Sequence, residues 1–171
     1  MVAQSTITAQ HFAASGNFPN NGKLPLLVYH NVFVGNEITP EAFENRFNSS
    51  HWPSAWRNGL FSYHHFHSTA HEALGIYSGQ VQICFGGPGG TILKGRPGDA
   101  IIIPAGVSHC CVDQSTDLAI VGAYPAGTRP NMCSGTEKDY PRVSREIDLV
   151  PLPAADPLFG RNGILFDHWL P

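Results

Sequence analysis

Two short stretches of the 171-residue chain carry the residues best suited to chemistry. In GLFSYHHFHSTAHEALGIYSG, His65, His67 and Glu72 stand between Gly59 and Gly79 in the spacing GxxxxxHxHxxxxExxxxxxG. In GDAIIIPAGVSH, His109 closes GxxxxxPxGxxH after Gly98, Pro104 and Gly106. Three imidazole nitrogens and one carboxylate oxygen suit one divalent transition metal (Fe, Mn, Ni, Cu, Co or Zn) better than Ca or Mg, which prefer all-oxygen sites. On an octahedral ion four protein ligands leave open positions for water, substrate or dioxygen, as catalysis needs, whereas a tetrahedral zinc would be saturated. A single histidine in isolation reads as a hydrogen-bonded core or surface residue; the spaced set of four argues for a metal.

These residues need strands to position them. Alternation puts Tyr63, His65 and His67 on one face and His64 and Phe66 on the other. Ser68 to His71 can turn the chain so that Glu72 returns opposite the histidine pair, and His109 arrives from a distant strand. Gly79 and the Pro104/Gly106 pair suit turns. Tyr63 is a candidate to offer its phenol to a substrate, against the plainer role of packing. If SHCCVD is a regular strand, Cys111 and Asp113 share the face of His109, making Asp113 a catalytic candidate beside Tyr63 and Cys111 a substrate-binding one. His64 and His71 take outer-shell or surface positions, with His71 the substitute ligand should Glu72 not bind. Phe61, Leu74, Ile76, Ile83 and Ile102 fit a barrel wall, and Lys94 and Arg96 read as solvated.

Residues 1–24 form a polar, Gly- and Asn-rich extension, followed by a single domain over 25–171 that opens with the strand PLLVYHNVF. Thr39 can cap a short helix with Pro40 in its first turn and Phe43 and Phe47 on one face. From Gly59 onward, short β-rich runs alternate with Gly or Pro and no helix intervenes, so the fold class is all-β, an antiparallel sandwich or barrel with its core over about 55–128. The Pro-rich tail carries Leu158, Phe159, Phe166 and Trp169 as anchors for packing on that core.

With 42% apolar residues and ten Phe the chain can fill one sizeable core. A formal charge of -3 with no Lys/Arg cluster argues against nucleic acid and for a small-molecule ligand. Nothing approaches a membrane span, and residues 1–20 lack a secretory apolar run and any Arg, so a cytoplasmic location is expected. The four cysteines have no CxxC spacing and read as free, mostly buried thiols.

The two spacings resemble the motifs of the cupin superfamily from Gly59 to Asp113. Within it, WRNGLFSYHHFHSTAHEALGIYSG, FGGPGG, PAGVSHC, VGAYPAG and the late DPLFG are similar to the single-domain YjlB-like cupins, a likeness running from Trp52 to Trp169. The resemblance implies an antiparallel jelly-roll β-barrel, metal-ligand roles for His65, His67, Glu72 and His109, and a homodimer as a common state. Asp113 departs from the Asn usual at that position, which is not a ligand. The resemblance supplies no reaction; the open metal positions lead to the expected function, a metal-dependent enzyme, oxygenase-type, acting on a small organic molecule in the barrel. The alternatives are a Lewis-acid isomerase, decarboxylase or dehydratase, or a non-enzymatic binding cupin.

Overall fold

The computed structural model describes residues 5–171. Nine strands run β1 (Thr6–Phe12), β2 (Asn21–His30), β3 (Ser54–Asn58), β4 (Glu72–Ser78), β5 (Val81–Phe85), β6 (Thr91–Gly95), β7 (Ala100–Ile103), β8 (His109–Gln114) and β9 (Ala119–Ala123). Three helices join them: α1 (Pro40–Ser49), α2 (Tyr140–Leu149) and α3 (Leu165–Trp169). All strand pairs are antiparallel, in a six-stranded sheet ordered β1-β2-β7-β4-β9-β3 and a three-stranded sheet ordered β6-β5-β8.

Alternation along the central strands explains the layering. Leu74 and Ile76 of β4 and Ile101 and Ile103 of β7 face Ile83 and Phe85 of the small sheet, while Ala73, Ala100 and Ile102 face the opposite way. That second face is covered by α1 and the C-terminal segment, so the large sheet is buried on both sides. α1 forms where the pattern predicts it: the Thr39 side chain accepts from Ala42 N–H at 3.1 Å, Pro40 occupies the first turn, and Phe43 and Phe47 are fully buried. Each such ring contributes roughly 1.5–3 kcal/mol of burial. Gly75 makes room for them, because a Cβ there would lie 2.4 Å from the Phe43 ring.

Four features differ from the expectation. The sheets do not close into a barrel. The large sheet spends its second face on helices, and the small sheet's β8 edge meets an irregular segment through the isolated His65–His109 bridge and the Cys111 N–H to Phe61 O bond at 2.9 Å. The polar segment expected to precede the domain supplies β1, paired with β2 from Thr6 to Phe12. The tail holds two helices, α2 turning Val143 and Ile147 inward and α3 burying Leu165 and Trp169. Phe61, expected in the wall, is 51% exposed. Cys84, Cys110 and Cys111 are buried and Cys133 half-buried, with no disulfide among the described residues. No helix among them is long and apolar enough to cross a membrane.

Candidate metal centre

The segment carrying His65 and His67 is not a ladder strand but an extended passage pinned at nearly every residue. His65 exchanges backbone bonds with His109, at 3.2 and 2.9 Å, and Phe66 exchanges two of 2.9 Å with Cys133. His67 O accepts from Gly106 N–H at 2.8 Å, and Ser68 N–H donates to Asn131 Oδ1 at 2.8 Å. Gly106 has φ +94°, and a Cβ there would meet Asn20 O at 2.4 Å, so the turn leading to His109 requires glycine. Glu72 opens β4 in the large sheet and His109 opens β8 in the small one.

These elements bring His65, His67 and His109 together, all buried, with one ring nitrogen from each within 4.8 Å of the others. Their tautomers follow from the backbone. His65 Nδ1 donates to Tyr63 O at 3.0 Å, His109 Nδ1 to Val107 O at 3.1 Å, and His67 Nδ1 to Asn131 O. A carbonyl only accepts, so each Nδ1 carries the proton and each neutral ring leaves its Nε2 lone pair free. Glu72 Oε2 lies 3.2 Å from His67 Nε2 and 3.3 Å from His109 Nε2. Two ligands about 2.1 Å from one ion sit roughly 3.0–3.4 Å apart at right-angled to tetrahedral geometry, which these spacings match. Both Glu72 Oε2 and His109 Nε2 are buried without a hydrogen-bond partner among the described residues. A buried carboxylate oxygen beside a lone pair is repulsive unless a proton or a cation lies between them. The donor set therefore fits a divalent transition ion.

The electrostatics favour a positive charge, a proton or a cation, between Glu72 and the rings. Burial, helped by the neighbouring His109, pushes His65 down to about 4, which keeps it neutral and ready to ligate. Burial acts to lower His67 too, but the Glu72 carboxylate outweighs it and His67 is raised. Burial alone would raise Glu72; the adjoining His109 and His67 rings hold it well below the usual carboxylate range.

The chain is 34% identical over 160 residues to the uncharacterized protein YjlB of Bacillus subtilis (strain 168), an alignment spanning 93% of this chain and 94% of the relative. It belongs to the YjlB family. No family model matches the chain. The relative's own name carries no activity.

The remaining expected residues are arranged differently. Tyr63 is 49% exposed and stacked on Phe61, with ring centroids 4.9 Å apart, so its carbonyl rather than its phenol serves the site. Asp113 is exposed and hydrogen-bonds Gln82 at 3.4 Å, because β8 shifts register between Cys111 and Asp113 and the alternation slips. Cys111 is buried in the inter-sheet core. His64 turns away from the ligands and packs edge-on to Phe18. His71 is buried on another side, its Nδ1 accepting from Ala105 N–H at 2.8 Å and its Nε2 donating to Pro151 O at 3.2 Å, with no hydrogen bond to the quartet. Lys94 and Arg96 line a separate groove.

Two residues enter the site without having been anticipated. Tyr124 donates its hydroxyl to Glu72 Oε1 at 3.2 Å and accepts from Trp56 Nε1–H at 3.1 Å. Burial and the Glu72 carboxylate push the Tyr124 phenol up, so it stays a donor. Trp56 reaches it because β9 has Gly122 beneath the indole, where a Cβ would lie 2.0 Å from the ring. The sequence signal was cross-strand: β3 pairs Trp56 with Gly122, two residues before Tyr124. Above the three histidines and Glu72 lies a cavity of about 580 Å³.

Proposed function

We propose that the chain is a metal-binding cupin, a metal-dependent enzyme of oxygenase type that acts on a small organic molecule held in the cavity above the histidines. What supports the reading most is the pairing of Glu72 Oε2 with His67 and His109 at 3.2 and 3.3 Å, buried and without a hydrogen bond to satisfy that oxygen. His65, His67, His109 and Glu72 would hold the ion. Bound there, a redox-capable divalent ion would supply Lewis acidity and electron transfer for chemistry on an organic molecule and dioxygen.

The chain's own residues supply position and protons. The three carbonyls of Tyr63, Val107 and Asn131 fix the rings before an ion arrives. Tyr124 orients Glu72 by donating a hydrogen bond to its Oε1 at 3.2 Å. Glu72, committed to the ion, is not a free base, and Tyr124 carries the one hydroxyl among the described residues lining the cavity. The test is anaerobic purification, elemental analysis, and oxygen uptake with a panel of small carbonyl and catechol compounds. Uptake that disappears in Glu72→Ala supports the oxygenase. Turnover without uptake replaces it with Lewis-acid isomerisation, decarboxylation or dehydration, and neither metal nor turnover removes the reading.

A further inference from the structure

The ligands account for the floor of the cavity but not for its walls. We infer that the cavity selects an aromatic or conjugated molecule carrying at most one negative charge and oxygen acceptors at both ends, such as a phenol or catechol that bears a carbonyl, hydroxyl or nitro group opposite its metal-binding oxygen. This rests on the metal-binding reading above.

Charge argues first. Glu72 is the one formally charged side chain among the described residues lining the cavity, and neither Lys nor Arg lines it. A divalent ion with three neutral imidazoles and one carboxylate leaves one net positive charge. A singly ionised oxygen neutralises it. A phosphate or polycarboxylate would bring further charge into a space without a cation to pair it, and a cationic ligand would face the ion itself.

Wall chemistry argues second. Trp56, Leu60, Phe61, Leu118 and Met132 supply an apolar surround, and Phe61 and Met132 are each 51% exposed. Phe61 is stiffened by its stack on Tyr63 at an interplanar angle of 20° and stands edge-on to His65, 5.4 Å away. Apolar rings left open to solvent beside a polar floor suit a flat apolar ligand body.

The free hydrogen-bond donors argue third. Asn58 Oδ1 accepts from Gly59 N–H at 2.9 Å, and Gln114 Oε1 accepts from the Cys111 thiol at 3.3 Å. Both oxygens are thereby turned to the protein, and among the described residues neither amide nitrogen donates to a protein acceptor. Both residues line the cavity, which therefore offers uncharged N–H donors away from the ion. They match a carbonyl or hydroxyl oxygen at the far end of the ligand.

The probe is 4-nitrocatechol, titrated into nickel-loaded protein and read by its absorbance shift on coordination. Inorganic pyrophosphate serves as the competing polyanion, and nickel content is measured after gel filtration of each mixture. The expected result is a nitrocatechol Kd at least tenfold below that of pyrophosphate. Phe61→Ser should weaken nitrocatechol at least fivefold at unchanged nickel content, and Gln114→Arg should tighten pyrophosphate. Nickel retained with equal or reversed affinities, or an indifferent Phe61→Ser, overturns this inference alone. Protein that holds no nickel overturns the metal-binding reading and this inference together.

Discussion

Asp156 and Glu72 are both buried carboxylates, and they are opposites. Asp156, in the segment before α3, is fully buried and saturated: Oδ1 accepts from Leu158 and Phe159 N–H at 2.7 and 3.0 Å, and Oδ2 from Tyr29 O–H and Leu165 N–H at 2.7 and 2.9 Å. Glu72 is as deeply placed, yet only its Oε1 has a donor, Tyr124. Its Oε2 faces imidazole nitrogens with nothing to share. The histidines divide the same way. His71 uses both nitrogens on backbone partners, whereas His65, His67 and His109 each use Nδ1 and keep Nε2 toward the others. Burial by itself does not distinguish architecture from chemistry; what is left unsatisfied does.

The largest effect that can break the comparison is an exchange of amides for carboxylates. Asp156→Asn replaces one acceptor oxygen by a donor facing backbone N–H or Tyr29, at about 3–6 kcal/mol for two lost bonds to a charged group. The melting temperature should fall on the order of 10 °C or more. Glu72→Gln should lower metal content at least tenfold while shifting the melting temperature of chelator-treated protein far less. Calorimetry beside elemental analysis reads both, and the reverse assignment of effects would end the distinction.

The histidine half is tested by alanine. His65→Ala, His67→Ala and His109→Ala should each reduce bound metal from about one ion per chain to below about a tenth, since each removes a ligand with no spare donor adjacent. His71→Ala should destabilise the fold and leave the metal in place. Near-normal metal content in two of the first three variants is the result that sinks the assignment.

A smaller effect comes with pH. Burial pushes His71 down to about 4 although Pro151 O favours its proton, so it is neutral in the fold and protonates near 6.5 when unfolded. The unfolded chain then binds the extra proton between those values. The stability contribution is complete above about pH 6.5 and declines as pH falls toward 4, by roughly 3 kcal/mol at most. In chelator-treated protein, His71→Gln should flatten the urea midpoint over that window, and an unchanged slope would contradict the buried neutral ring.

The smallest effect sharpens the Glu72 side. Tyr124→Phe removes the donor to Oε1 but leaves the ligands, so metal affinity measured by chelator competition should weaken about tenfold. Thermal stability should hardly move. Unaltered affinity would leave Glu72 oriented by β4 alone.

What was legible in the sequence was short in range. The spacing that brings His65, His67, Glu72 and His109 together was visible because two alternate positions, a turn and a strand start have fixed periods, and α1 because cap, proline and phenylalanines coincide within a few residues. The strands from Glu72 to Ala123 stood out by β-branched runs between glycines. The slip that turns Asp113 outward is a property of pairing with β5, where one strand carries an additional residue, and no local pattern announces it. Tyr124 and Trp56 meet through β9 and β3, and their value to Glu72 depends on that contact. The open arrangement of the sheets follows from α1 and the tail covering the large sheet, a long-range choice; Val143 and Ile147 did carry the helical spacing of α2, inside a stretch that its prolines made look irregular.

Glu72 comes from the large sheet and His109 from the small one, while His65 and His67 come from the passage between them. An ion shared by all four is a tie across the sandwich. Peeling the sheets apart would have to surrender it, so the loaded chain should resist unfolding by an amount that grows with the logarithm of free metal. Protease digestion across a metal titration would then register coordination as survival of the intact chain.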